Sequence, residues 1–170
     1  MGGFAEEALL DSRITRKRGD VDFLVPEDRW ATIRTELQNI GLRRFEQLLT
    51  QPDGRSLAFV SRELGLAVEV WPARRETHGY ALILPSTTGF FRLRLPVYTF
   101  DAAGAVLDGV RVKPVSPRAL ALLRAVSATT RGDAAAKAED MHVFQRIVEK
   151  LLPTEAAEAV ILQMTELPAP

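Results

Sequence analysis

The stretch Asp20-Val-Asp-Phe-Leu-Val25 constrains this chain more than any other, because it sets two acids two residues apart in an apolar run. Read as a strand, its side chains alternate between faces. Val21, Phe23 and Val25 make an ordinary core face, and Asp20, Asp22 and Leu24 the opposite one. The two carboxylates then stand roughly 6–7 Å apart along the strand. At an effective dielectric near 20 they repel by about 2–3 kcal/mol, a large share of the ~5–15 kcal/mol that keeps a domain folded. A cation relieves that repulsion, and oxygen-only donors on a rigid strand suit a hard ion, Mg²⁺ above all. A plainer reading stays open here: a solvated strand start, turned by Gly19 and entered through the basic run Arg13–Arg18.

The chain has 170 residues, 46% of them hydrophobic, which is enough for one domain, or one domain with a small helical appendage. Its 22 basic and 22 acidic side chains cancel, so any preference for a charged partner has to be local. With no cysteine there is no disulfide framework and no thiolate metal site. His78 and His142 are too few for a histidine-based zinc site. The opening Met-Gly-Gly-Phe-Ala-Glu-Glu lacks the pattern of a signal peptide. No apolar run approaches the ~20 residues that span a bilayer. A soluble, cytoplasmic protein with no membrane partner is expected.

Phe4, Ala5, Ala8 and Leu9 recur at helical spacing, so a short amphipathic helix is expected from Gly2-Gly3 to near Asp11. Chain start and helix start coincide, and nothing upstream is expected to hold the first amides. Pro26-Glu-Asp suits a helix N-terminus; the stripe Trp30, Ile33, Leu37, Ile40 follows, and Gly41 stops it. A short strand is expected over 42–45, then a loop around Gln51-Pro-Asp-Gly54. Ser56–Ser61 and Leu66–Trp71 read as a hairpin turned at Arg62-Glu-Leu-Gly65. Phe90–Leu95 reads as a half-exposed strand with Arg92 and Arg94 outward, and Pro96 favours an edge. Asp108-Gly109 is a turn before a last strand, Val110–Val115.

Ser116-Pro117 then caps a helix carrying Leu120, Leu123 and Val126. A second helix spans Asp133–Leu151 on Met141, Phe144, Val148 and Leu151, Pro153-Thr154 breaks it, and a third runs from Glu155 to about Glu166. The pattern is α+β: a mixed, mostly antiparallel sheet flanked by helices over 1–115, then a helical segment over 116–170.

Glu69 lies inside Leu66-Ala-Val-Glu-Val-Trp71 and shares its face with Ala67 and Trp71. Burying an unpaired carboxylate is costly. Either Glu69 is an edge residue facing water, or its strand lies beside Asp20–Val25 and it joins Asp20 and Asp22 as a third oxygen donor. A third carboxylate beside a metal can also serve as general base on an attacking hydroxyl.

Gly2-Gly3-Phe4-Ala5, Arg13-x-Thr15-Arg16-Lys17 and Asp20-Val-Asp22-Phe together resemble the nucleotidyltransferase superfamily signature. The likeness is greatest to the branch of the aminoglycoside 2''-O- and lincosamide nucleotidyltransferases. It covers Gly2 to about Trp71, and the rest in outline. It implies a nucleotidyltransferase-like sheet, with the glycine pair on Gly2 and Gly3, the metal-binding aspartates on Asp20 and Asp22, and the third carboxylate on Glu69. Two Mg²⁺ ions and a nucleoside triphosphate (NTP) such as ATP are implied with it. Helix-start amides at Gly2 and Gly3 can approach a phosphate closely, and Arg13, Thr15, Arg16, Lys17 and Arg18 lie near where pyrophosphate charge collects.

In outline, Arg131-Gly-Asp-Ala-Ala-Ala-Lys137-Ala-Glu-Asp140 matches a lysine–aspartate pair on the family's C-terminal helices. Lys137 either reaches a phosphate or forms an exposed salt bridge with Asp140, three residues on. Trp71, Pro72, His78 and Tyr80 are candidate linings for an acceptor pocket, with His78 otherwise incidental; Trp30 reads as core and His142 has no assigned role. The chain departs from the pattern at Arg18, where close relatives place a histidine. It departs again at Glu69, one methylene longer than the commoner aspartate. With the glycine pair at the chain start, the phosphate loop is expected to be less firmly fixed. The implied acceptor is a small hydroxyl-bearing molecule such as an aminoglycoside antibiotic. The alternatives are a toxin-type enzyme acting on tRNA or protein, and a non-catalytic nucleotide-binding domain of the same fold.

Overall fold

A computed structural model describes residues 3–15, 20–40, 43–45, 57–61, 65–86, 89–130 and 133–156. In chain order the elements are α1 (Gly3–Leu10), β1 (Asp20–Pro26), a 3-10 turn (Glu27–Arg29), α2 (Trp30–Asn39), β2 (Arg43–Phe45), β3 (Leu57–Ser61) and β4 (Leu66–Glu76). Then come β5 (Gly79–Ser86), β6 (Gly89–Leu95), β7 (Ala105–Leu107), β8 (Val110–Val112), α3 (Pro117–Thr130) and α4 (Ala134–Leu151). Six strands form one sheet in the order β2-β3-β4-β5-β6, with β1 paired to β4. The β1–β4 pair is parallel and the others are antiparallel, so the sheet is mixed. The class is α+β, as the alternation of patterns in the sequence implies.

The parallel pair divides β1 and β4 into two faces. Val21, Val25, Val68 and Val70 point to one side and pack with Phe59 beneath Trp30, Ile33 and Leu37 of α2. Leu24 and Trp71 point to the other side, into a core made with Leu82 and Leu84 of β5, Leu93 and Leu95 of β6, and Ala119, Leu123 and Val126 of α3. A second set of α3 side chains, Leu120, Ala121, Leu122 and Ala125, packs on Val143, Phe144 and Ile147 of α4. A helix apolar all round is one buried all round, and α3 lies between sheet and helices for that reason.

Several expectations change. Phe23 is 45% exposed, not core; α2 covers the two valines beside it and leaves the middle of β1 open. Ile40, at the end of the α2 stripe, is 73% exposed, because α2 closes at Asn39. Pro26 belongs to β1, and one 3-10 turn precedes α2. β4 runs on to Glu76 rather than ending at Trp71, and β5 follows as a strand that turn signals alone did not mark. The last strand is only Val110–Val112, paired with Ala105–Leu107 in a separate hairpin. Its turn is as expected, with Asp108 at φ +46 and Gly109 at φ +79, the left-handed pair of a tight hairpin. The expected loop at 51–54, the Gly41 stop, and the third helix beyond residue 156 lie outside the described residues. Among the described residues, no helix is long and apolar enough to cross a membrane.

The β4–β5 turn explains one glycine. Gly79 has φ +143, and a Cβ there would run into the Leu95 carbonyl and come within 3.1–3.2 Å of the Pro96 and Val97 backbone. Gly65 also has positive φ, at +57, but open space around it. Gly79→Ala should therefore cost at least about 3 kcal/mol in urea unfolding, and Gly65→Ala only about 1–2 kcal/mol.

Candidate functional site

The register of β1 on β4 pairs Asp20 with Ala67, Asp22 with Glu69 and Leu24 with Trp71. Partners across a parallel pair lie about 4.8 Å apart and project to the same face. Asp22 and Glu69 are therefore side by side, and Asp20 is two residues along the same face, its Cα about 8 Å from that of Glu69 by the same spacings. Asp22 and Glu69 are half-buried and Asp20 is exposed. Among the described residues, the side chains of Asp20 and Glu69 make no hydrogen bond or ion pair. No three acidic or histidine donors among those residues already close around a common point. Mg²⁺ does not require that: it is usually held by one or two carboxylates, waters and substrate phosphates. The donor set fits such an ion. Two residues further along both strands the face turns apolar at Leu24 and Trp71, so the acids form the polar rim of a buried core.

Ahead of β1 stand α1 and the stretch 11–15, and both are tied down. Glu6 and Glu7, adjacent on α1, are buried. Glu6 pairs with the Arg124 Nε of α3, and Arg124 Nη1 donates to Asp140 Oδ1 of α4 at 2.6 Å. The three are 5%, 8% and 3% exposed, so they form an ion triad inside the protein that joins three helices. Glu7 Oε1 accepts from the Thr15 amide at 3.0 Å and the Thr15 hydroxyl at 2.6 Å. Arg146 Nη2 of α4 donates to Asp11 Oδ1 at 3.0 Å, and the Ile14 amide donates to Asp108 Oδ2 at 3.1 Å. The expectation spoke only of supports upstream of α1; those the structure shows come from α3 and α4, far downstream in sequence. One signal was visible, since Arg124 is the single charge in the apolar run from Ala119 to Val126.

No family model matches this chain, and no curated protein matches it in sequence. Solved structures do match. The solution structure of the antibiotic-resistance factor ANT(2'')-Ia aligns with a TM-score of 0.70 at 19% identity, over 96% of this chain and 79% of that one. The crystal structure of ANT(2'')-Ia in complex with adenylyl-2''-tobramycin gives 0.69 at 18% identity, over 96% and 84%. The fold is nucleotidyltransferase-like.

On this nucleotidyltransferase-like frame the remaining candidates fall as follows. Gly3 opens α1, and Arg13 and Thr15 lie exposed on the loop after it, with the Thr15 amide and hydroxyl taken up by Glu7. Gly2, Arg16, Lys17 and Arg18 lie outside the described residues. Lys137 is half-buried in the first turns of α4, with no side-chain partner among the described residues. Asp140 is not its exposed salt-bridge partner but a buried member of the Arg124 triad.

The acceptor-pocket residues divide into two groups, Trp71 with Pro72 and His78 with Tyr80. Trp71 and Pro72 are buried, Trp71 in the main core. Tyr80 packs edge-on against Phe100, ring centres 4.8 Å apart. Exposed His78 and half-buried Tyr80 line a cleft of about 460 Å³ with Glu76, Arg92 and Arg94. Glu76 lies seven residues beyond Glu69 on β4, about 23 Å at the strand rise. That cleft is therefore remote from the carboxylates.

The Trp71 indole Nε1 is buried without a hydrogen-bond partner among the described residues. If Trp71 is core alone, Trp71→Phe should change stability by less than about 1.5 kcal/mol, while Trp71→Ala should cost about 3–5 kcal/mol. Thermal and urea unfolding of both variants checks this.

Proposed function

We propose that the protein is a Mg²⁺-dependent nucleotidyltransferase, moving a nucleoside monophosphate from an NTP to a hydroxyl of a small molecule. The observation that carries this reading is the parallel register that sets Asp22 beside Glu69, with Asp20 next on the same face. Asp20 and Asp22 hold the metal, and Glu69 serves as a further ligand or as the base. Bound Mg²⁺ supplies charge neutralisation at the entering and leaving oxygens of the α-phosphate. The amides at Gly2 and Gly3, with Arg13, Arg16 and Lys17, take the negative charge of the triphosphate; Lys137 is a further candidate for that charge.

In the transfer, the acceptor oxygen bonds to the α-phosphorus and the bond from that phosphorus to the α–β bridging oxygen breaks. Pyrophosphate leaves, and Glu69 takes the hydroxyl proton. ANT(2'')-Ia has been captured with adenylyl-2''-tobramycin, which supports ATP as the donor and an aminoglycoside hydroxyl as the acceptor, with antibiotic resistance as the outcome.

Incubation with each labelled NTP, Mg²⁺ and a panel of aminoglycosides, lincosamides and tRNA tests the reading. Label should pass to a small-molecule acceptor, stop on chelation, and return with added Mg²⁺. Asp22→Asn should lower the rate at least about a hundredfold. If Glu69 is the base, Glu69→Gln should lower kcat by about 10²–10⁴-fold while leaving the KM for NTP nearly unchanged. Transfer to tRNA alone would move the reading to a toxin-type enzyme, Mg²⁺-dependent NTP binding without transfer would leave a binding domain, and no NTP binding would end it.

A further inference from the structure

We infer that the buried triad Glu6–Arg124–Asp140 is a positioning device that sets the rotation of α1, and with it the affinity for the NTP. The inference rests on the function proposed above.

Helix α1 has eight residues, well short of the ~12–15 at which an isolated helix holds in water. Its apolar contribution to the helical core is small: Ala5, Leu9 and Leu10 lie partly buried against that cluster, and Ala8 is buried. Apolar contact of this kind is undirected and leaves a short helix free to roll. Directed bonds do not. Glu6 and Glu7 are consecutive, so they leave the helix about 100° apart. One is held by Arg124 and the other by Thr15. The Glu6–Arg124 ion pair anchors one side to the interior, and Thr15, whose neighbour Ile14 donates to Asp108, anchors the other, so one rotational setting satisfies both. A third tie, Asp11 to Arg146 just past the last turn, fixes the tilt.

The setting matters at both ends of the helix. At its start, Gly3 presents the amides assigned to phosphate. At its end, Glu7 holds Thr15, the residue before Arg16-Lys-Arg18 in the sequence. Arg124 itself sits in the buried middle of α3 and pairs with α4 through Asp140, so the reference for both ends is the interior of the helical layer. It touches no substrate and acts through Glu6.

Stability alone does not account for such a triad. Replacing a whole buried ion set by well-packed apolar side chains is often neutral or stabilising, whereas removing one member leaves charge uncompensated. The decisive variant therefore changes all three: Glu6→Leu, Arg124→Met and Asp140→Leu together. It should melt within a few degrees of wild type. Its α1 amides should nevertheless exchange hydrogen at least tenfold faster without nucleotide, and its KM for NTP should rise about tenfold with kcat changed less than threefold. Arg124→Lys, which keeps the charge but not the two-pronged geometry, should lie between.

If the triple variant does not fold, Glu6→Met, which removes the oxygen that meets Arg124 Nε and leaves the Arg124–Asp140 pair intact, decides by the same two readouts. A wild-type protein that transfers, beside a variant with wild-type exchange and wild-type KM, sinks this inference alone. Faster exchange with unchanged KM sinks it as well, since α1 would then be held for no catalytic purpose. A wild type that neither binds nor transfers NTP sinks the proposed function, and this inference with it.

Discussion

The parallel pairing of β1 with β4 is the constraint from which the rest follows. Side chains on a strand alternate with a period of two, so a slip of one residue would carry every acid to the opposite face. The native register is held from both sides. Val21 and Val25 must meet Val68 and Val70 under α2, while Leu24 must meet Trp71 over α3. Only one alignment satisfies both layers, and it is the one that sets Asp22 against Glu69. The apolar core thus fixes the position of two carboxylates side by side on one face.

The helical layer does a second job. Because α3 is buried between the sheet and α4, a charge placed on it is held rigidly, and Arg124 is such a charge. Two carboxylates from α1 and α4 converge on it. A surface ion pair in the same place would be worth little and would be screened by salt. Buried, the contacts gain strength from the low dielectric, and a firm anchor is what an eight-residue helix lacks on its own.

Much of this was legible in the sequence, for reasons that can be named. The strand periodicity of Asp20–Val25 and the helical periodicity of Trp30, Ile33 and Leu37 are local signals, and both elements formed where they pointed. The cap at Ser116-Pro117 and the turn at Asp108-Gly109 are equally local, and both are present. Long-range facts were not legible. No local signal around Trp71 says that Leu82 and Leu84 of β5 share its core, so an aromatic that looked like pocket lining proved to be core. Phe23 obeys the alternation and is still exposed, because burial depends on what covers a face and not on the face alone. Glu6 and Asp140 look like ordinary polar positions on their helices until Arg124 is placed between them. The sequence pattern singled out the acids of the candidate site, but not what holds the neighbouring helix against them.

The β7–β8 hairpin looks, by position, like a place where evolution could lengthen the chain at no cost, since it pairs with no strand of the main sheet. Yet its turn residue Asp108 grips the chain at both Ser12 and Ile14, its amide donating to the Ser12 carbonyl and its carboxylate accepting from the Ile14 amide. It is a strut onto the segment that follows α1. Insertions tolerated in most surface hairpins would here be passed to Ser12 and Ile14 and so to the end of α1, which gives this small ornament a say in how that helix is seated.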